Sequence, residues 1–503
     1  MTLPFQNIPS NLRVPLFYAE VSNSMANTAS LNQRALIIGQ INSSGLPNSI
    51  AAGQATPNVP LISQGVADAA VQGGPGSMLH LMTQWYRKRD TFGEVWYLPL
   101  ADNGAGVAAT GTIQYTAAPT ANGTHYLYIA GTRIAVPVLT TQTTTQIATA
   151  VAAAINATPN LPVTASASTG TVTLTAINKG PCGNDIDIRV NYQGTAGQEV
   201  TPAGLTFTIT AMASGATPPD MTTAIANLQD KPFDFIVCPY NDTTSLNALK
   251  TLLNDTSGRW SYAAQIYGHV FAAYRGTLSA CTTFGTARND QHATVIGFND
   301  SPTPNWLWAA NMAGAAAVSL RIDPARPLQT LALDVLAPPL QSRFQLTDRN
   351  TLLFDGMSTF TVADDGTVQL ENVITTYQKN GFGQPDDSYL EVETMFTLMA
   401  LLRRLKTVVT SKYARVKLAD DGTAFAPGSA IVTPSIVRGD LIAAYKQAEA
   451  DGLVQRSDLF AAALIVQRNS SNPNRLDVLY PPYLVNQLRI FALLAQFRLS
   501  TLV

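Results

Sequence analysis

Residues 34–40 read RALIIGQ, residues 73–77 read GGPGS, and residues 94–100 read EVWYLPL. The first is a short apolar run closed by Gly39, the mark of a buried strand. The second ends in Ser77, a hydroxyl residue suited to cap a helix. Behind it Met78, Leu79, Leu81, Met82, Trp85 and Tyr86 recur at helical spacing. The third run is another strand. Strand, helix and strand at this spacing make a βαβ unit, which places the chain in the α/β class.

Working outward, the same rhythm returns from about residue 218. Residues 221–228 are helical in pattern, FDFIV (233–237) is a strand ending before Pro239, and a helix is expected over 244–254. A strand over 292–298 and an Ala-rich helix over 306–318 continue the series. The intervening stretch differs in kind. Between Asp102 and Lys179 the only charged residue is Arg133. Strand-like runs HYLYIAG (125–131) and TVTLTAI (171–177) flank a helical segment, 145–156, with Ile147, Val151 and Ile155 on one face. Residues 185–192 and 205–210 add strands that lead back out. Residues 103–195 therefore read as a small α+β domain inserted into one α/β domain, whose two parts are 21–102 and 196–370.

The ends of the chain have their own character. Residues 1–20 contain Pro4, Pro9 and Pro15, which deny helix and backbone donors, while Leu12, Val14 and Leu16 alternate as in an extended arm. Residues 371–483 form a C-terminal domain with a long helical pattern over 394–417 and a second helix from Ser435 to Gly452. The last run, VNQLRIFALLAQFRLSTLV (485–503), is apolar on both faces if extended. Such a strand needs cover on both sides and is hazardous as an open edge. An ordinary C-terminal core helix fits the run equally well.

Composition sets further bounds. Of 503 residues, 31 are Lys or Arg and 33 are Asp or Glu, a net charge of −2, and 46% are hydrophobic. The charged share is 13%, against about 25% in ordinary soluble domains. This is no disordered polyelectrolyte, and it lacks the clustered cations of a nucleic-acid-binding face. Cys182, Cys238 and Cys281 lie far apart and read as reduced thiols. His80, His125, His269 and His292 have no metal-ligand spacing, so neither metal nor cofactor is expected. No secretory leader is read at the start, and the best membrane candidate, residues 306–320, is too short to span a bilayer.

Several site-like motifs are better explained structurally. GGPGS lacks the Lys-Ser/Thr of a phosphate-binding loop and reads as a turn with a helix cap. Asp234 or Asp242, then His269, then Ser358 follow the order of a subtilisin-type triad, but order is weak evidence and Ser358 sits in GMST. The two ADDG sequences, 363–366 and 419–422, do not continue into a calcium loop and read as Asp-Gly turns between strands. Tyr126, Tyr128 and His125 could stack on sugars, although ordinary strand positions account for them.

Read in order, a set of segments resembles the tail sheath proteins of contractile-tailed bacteriophages, of the Mu-like kind. They are RALIIGQ, GPGS with its helix through WYRKRD (85–90), EVWYLPL, GNDIDIRV (183–190), RPLQTL (326–331), LLFDGMSTFTV (352–362) and VITTYQKN (373–380). The C-terminal part adds VKLADDGT (416–423), IVTPSIVRGDLIAAY (431–445), LIVQRN (464–469) and NRLDVLYPPYLVNQLRIFALLAQF (474–497). The resemblance implies a non-catalytic, subtilisin-like α/β core, which accounts for the triad order, and an outward-facing inserted domain. It implies hexameric rings stacked around a tail tube, with baseplate and tail terminator proteins at the ends, in the virion after assembly in the host cytoplasm. No cofactor, direct nucleic-acid contact or membrane insertion is implied. It also implies that terminal arms add strands to neighbouring subunits. Leu12, Val14 and Leu16, with Leu488, Ile490, Leu494 and Phe497 in the terminal arm (484–503), are the candidates for that role, and Arg438 and Lys446 for tube contact. The sheath of a tail-like bacteriocin or secretion apparatus, and more remotely a serine hydrolase, are the alternatives.

Overall fold

The structure, a computed structural model, describes residues 33–499. Strand β1 (Ala35–Gln40) is buried along its whole length. After β2 (Leu61–Ile62) come helices α1 (Val66–Gly73) and α2 (Met78–Arg87), and then β3 (Val95–Leu100). Strands β1 and β3 are parallel and in register from Ala35↔Val95 to Gln40↔Leu100, and β2 closes that edge antiparallel to β3. The expected cap is in place: Ser77 Oγ accepts the His80 N–H at 3.1 Å. Helix α2 lies so close on β1 that a Cβ on Gly39 would stand 2.9 Å from the Leu79 Cα.

The inserted module follows. It contains β4 (Thr110–Ala117), β5 (Gly123–Ile129), β6 (Thr132–Val138), α3 (Thr144–Ala157), β7 (Val163–Ser168), β8 (Thr171–Ala176), β9 (Ile188–Val190) and β10 (Thr206–Ala213). One antiparallel sheet runs β10-β4-β8-β7 and another β6-β5-β9. A capping box of Thr143 and Gln146 starts α3, whose Ile147, Val151 and Ile155 join Ile113, Val172 and Leu174 in the module's own core. The strand faces turned away from that core carry hydroxyls. Thr210, Thr112, Thr173 and Ser166 stand in one row across the four strands. Because β10 pairs with β4, the module's sheet extends to Ala213, beyond the expected end at 195. Side-chain bonds stitch the module to the core: Gln40 Nε2 donates to Asp102 Oδ1 (2.6 Å) and the Lys179 carbonyl (2.7 Å), and Asn178 Nδ2 to the Ile41 carbonyl (3.0 Å).

The chain then resumes the sheet it left. Helix α4 (Thr222–Ala226), β11 (Phe235–Val237), α5 (Thr243–Leu253), β12 (His269–Arg275), α6 (Leu278–Thr286), β13 (Ala293–Phe298) and α7 (Asn305–Ile322) follow. The six-stranded order is β13-β12-β11-β1-β3-β2. Its five parallel strands therefore run 2-1-3-4-5 in order of appearance, a doubly wound arrangement. Alternation along β11 shows how both faces are covered. Phe235 stacks on Phe396 of the next long helix at 5.0 Å between ring centroids, on the side of α2 and α7. Ile236 faces the opposite layer, near Leu253 of α5. Trp308 of α7 is fully buried and stacks on Phe298 at 4.4 Å, as a core helix rather than a membrane segment would. Strand β12 and helix α6 were not anticipated from the sequence; the HVFAAYR run of β12 begins with His, ends with Arg and has two alanines at its centre, so its apolar signal is short.

Strand β14 (Ala332–Leu333), helix α8 (Leu346–Phe354), and strands β15 (Thr359–Val362) and β16 (Val368–Asn372) form a small antiparallel sheet with its flanking helix. The first ADDG makes the β15–β16 turn, with Gly366 at φ +85°. Helix α9 (Val392–Tyr413) has 22 residues, about 33 Å at 1.5 Å per residue. Its Phe396 and Met399 belong to the main core, while Leu401 and Leu405 belong to a separate C-terminal core. The latter is built from short strands β17 (Lys417–Leu418) and β18 (Ile431–Val432), helices α10 (Pro434–Ala450) and α11 (Ser457–Ala463), and the hairpin β19 (Ile465–Arg468) and β20 (Leu476–Leu479). Strands β17 and β18 are parallel, so the second ADDG is not a hairpin turn; its Asp421 instead accepts the Ser435 N–H at 3.0 Å at the start of α10.

The close approach of α2 to β1 makes Gly39→Val a sharp test of this packing. Overpacking of a filled core costs about 1–3 kcal/mol, so the variant should unfold at lower urea concentration than the wild type, with an unchanged denaturant slope. Wild-type stability would show that α2 does not lie on Gly39.

Candidate assembly surfaces

The surfaces open to a partner are set by where the chain leaves its own cores. After β20, Leu484 bridges to Val454 and Gln455 Nε2 donates to the Leu484 carbonyl at 2.9 Å, which holds the chain on the C-terminal domain. It then crosses to the main core. Gln487 Nε2 reaches the Ala325 carbonyl and Gln329 Nε2 the Leu488 carbonyl, each at 3.3 Å. Arg489 Nη2 sits 2.6 Å from Glu391 Oε2 and 2.7 Å from Glu393 Oε2. The Glu393 side chain is fully buried, and its other oxygen accepts the Leu328 N–H at 2.7 Å. Burial pushes the Glu391 carboxyl above its usual range, and the Arg489 guanidinium pulls against that shift. Arg489 is therefore the counter-charge that lets two carboxylates sit at the root of α9.

Beyond this clasp the chain makes neither of the elements its sequence allows. Residues 490–499 form no helix and no strand. Leu488, Ile490, Leu494 and Phe497 are all exposed, Ile490 at 83% and Phe497 at 86%, and so are Phe491, Leu493 and Leu499 between and beyond them. Burying such a side chain is worth about 1.5–3 kcal/mol relative to leaving it in water. The other candidate arm residues, Leu12, Val14 and Leu16, lie outside the described residues.

The β19–β20 hairpin is a second open surface. Among the described residues its two strands pair only with each other, and Ile465, Val478 and Leu479 are exposed. Behind it, Tyr445 and Phe460 stack at 3.7 Å and fix α10 against α11. Of the two cations singled out on α10, Arg438 is half-buried and donates to the Ala461 and Leu464 carbonyls at the end of α11. Lys446 is exposed.

The triad-like residues each have a structural task. Ser358 is fully buried; its hydroxyl donates to the Ile374 carbonyl (3.0 Å) and accepts the Ile374 N–H (2.9 Å). His269 shares a hydrogen bond with Thr294 Oγ1 at 2.8 Å, and burial pushes its imidazole down to about 3, far from the range of a general base. Asp234 pairs with Arg403 at 2.5 Å, and Asp242 caps α5 by accepting the Ser245 N–H at 2.9 Å. Asp234 and His269 also stand at the amino ends of their strands, whereas ligand crevices of open parallel sheets lie at the carboxyl ends. In the module, His125 and Tyr128 are buried, and Tyr128 donates to Glu199 at 2.6 Å, so neither offers a face to a sugar. The three cysteines are buried free thiols. Among the described residues, no group of three or more His, Cys, Asp or Glu could hold a metal ion, and no helix is long and apolar enough to cross a membrane.

Sequence and structure comparisons bear on this arrangement. Residues 214–376 match the model of the phage tail sheath protein central domain, and residues 384–498 that of the phage tail sheath C-terminal domain. The tail sheath protein of the Mu-like prophage FluMu of Haemophilus influenzae is 40% identical over 499 residues, 99% of this chain and 100% of that one. Solved structures with similarity include the sheath tail protein of Desulfitobacterium hafniense, at 12% identity and a TM-score of 0.48 over 95% of this chain and 97% of that chain. The helical sheath of the anti-feeding prophage in its contracted state gives 10% identity and a TM-score of 0.45 over 96% and 99%. The chain belongs to the phage tail sheath family, as a structural, non-enzymatic tail component of the Mu-like kind.

Proposed function

We propose that the chain packs into hexameric rings stacked helically around a tail tube protein, and that shortening of this stack drives the tube through the host envelope for genome delivery. Baseplate and tail terminator proteins would bound the stack, and assembly would take place in the host cytoplasm. The observation that carries this reading is the terminal strip beyond Arg489, whose Ile490, Phe491, Leu493, Leu494, Phe497 and Leu499 are all exposed among the described residues. An extended strip of this kind gains most by adding to a sheet edge, where backbone groups pair and alternate side chains are buried. The β19–β20 hairpin supplies such an edge, since an isolated two-stranded hairpin is marginal by itself. Residues 12–16, with Leu12, Val14 and Leu16 alternating, are the second donor strand in this scheme. Head-to-tail contacts that do not close into a ring continue as a helical stack. Contraction is then a one-way rigid-body rearrangement of subunits tied together by their arms.

The finer architecture belongs to the same proposal. The core would be a subtilisin-like fold without catalytic machinery, in two parts on either side of the inserted domain, with a C-terminal domain over 371–483 and arms at 1–20 and 484–503. The inserted domain would face outward. The tube contact would lie on the exposed side of α10, with the exposed Lys446 as its cation; Arg438 could join only by leaving the α11 carbonyls it holds.

Three experiments test this reading. Deleting residues 1–20 should leave a folded monomer that forms no tubes in electron micrographs; normal tubes from the truncation would remove the arm from the mechanism. Arg489→Ala should lower unfolding stability by about 3–5 kcal/mol, because it strands the buried Glu393 carboxylate, and should hasten proteolysis of the terminal strip. Stability equal to wild type would show that the clasp does not hold. Lys446→Glu should leave sheath polymerisation intact while reducing co-sedimentation with the tail tube; unchanged attachment would eliminate Lys446.

A further inference from the structure

A cleft of about 290 Å³ opens between the start of α8, strand β15 and the carboxyl end of β13. Its polar lining consists of Arg343, Arg349, Gln345, Thr359 and Thr361, with Leu340 exposed among the lining residues. We propose that this cleft is a binding site for a compact oxyanion, a carboxylate or a phosphate.

Arg349 is engaged by Glu371 and the Phe344 carbonyl, but two further donors are set in place and are not used up. Arg343 is held by one bond, from Nε to the Pro338 carbonyl at 2.9 Å, and its two Nη groups have no partner among the described residues. A guanidinium fixed at Nε presents its remaining N–H groups as a fork that matches two oxygens of one anion. Thr359 is 1% exposed, and its hydroxyl has no hydrogen-bond partner. A buried hydroxyl left unpaired is rare in folded proteins and marks a place where a further group belongs.

The neighbouring carboxylates are all committed elsewhere. Glu371 pairs with Arg349 at 2.7 Å, Asp348 accepts the Gln345 N–H at 2.9 Å, and Asp300 pairs with Arg189 at 2.9 Å while accepting from Ser342 at 3.0 Å. None of them is left to neutralise Arg343. Two sources can supply the oxyanion: a free ion, or an acidic side chain of a neighbouring copy of this chain. The second source rests on the ring-stack reading above; the first does not.

The test titrates the unassembled full chain with inorganic phosphate and with acetate by calorimetry, for wild type, Arg343→Gln and Thr359→Val, each first checked for a wild-type melting temperature. Tube formation is followed in parallel by sedimentation. Phosphate binding that weakens at least tenfold in Arg343→Gln supports the site and assigns it to a free ion. Absence of phosphate binding, with either variant needing several-fold more protein to form tubes, supports the site and assigns it to a neighbour's carboxylate. Phosphate affinity that is unchanged in both variants overturns the proposal. So does the absence of phosphate and acetate binding together with wild-type assembly of both variants. If the wild type itself forms no tubes, the ring-stack reading fails separately and the titration alone decides.

Discussion

A parallel sheet of short strands cannot leave either face to water, because both rows of its side chains are apolar. In this chain β1 is the strand most completely bound by that rule, with a partner on each edge and no exposed residue. The consequences spread outward. One face is covered by α2, α7 and the first half of α9, the other by α5 and α6. Gly39 has no side chain because α2 lies against it. The chain can leave the sheet after β3, build a separate module with its own core, and return at β11, because β11 docks beside β1 whatever the length of the excursion.

Helix α9 carries the influence of that sheet into the rest of the molecule. One rigid element contributes Phe396 to the first core and Leu401 to the last. At its root, Glu391 and Glu393 hold Arg489 of the terminal strip, and along its length Arg403 holds Asp234 at the head of β11. The C-terminal domain, the sheet and the departure point of the strip are thus fixed to one rod. This layout leaves the strip to depart from a defined anchor at Arg489.

What could be read from the sequence follows from how local each signal is. The βαβ unit, the Ser77 cap, the Ala-rich helix around Trp308 and the long helix α9 are written in periodicities of a few residues, and they stand where expected. Strand β12 escaped because His269 and Arg275 bracket two central alanines, so its burial comes from neighbours rather than its own composition. The end of the inserted module escaped because β10 belongs to it only through pairing with β4, some ninety residues earlier. The Arg489 clasp joins residues about a hundred positions apart, and no pattern along the chain announces it. The terminal strip was open between strand and helix for a related reason: among the described residues its apolar side chains stay exposed. Ser358 shows the opposite error that order alone can induce, since its hydroxyl is consumed by the Ile374 backbone.

The hydroxyl-bearing faces of the inserted module give the scarcity of charge a purpose. Between Asp102 and Lys179, Arg133 is the only charged residue, and it is neutralised by Glu199 at 2.6 Å. Rows of threonine keep the surface wetted without giving it a field. Charged surfaces of like sign resist being brought within a Debye length of one another, about 8–10 Å at ordinary salt. Modules of this composition can be crowded side by side, or drawn apart again, with almost no change in electrostatic energy and little sensitivity to ionic strength. Their spacing is left to the geometry of whatever holds them.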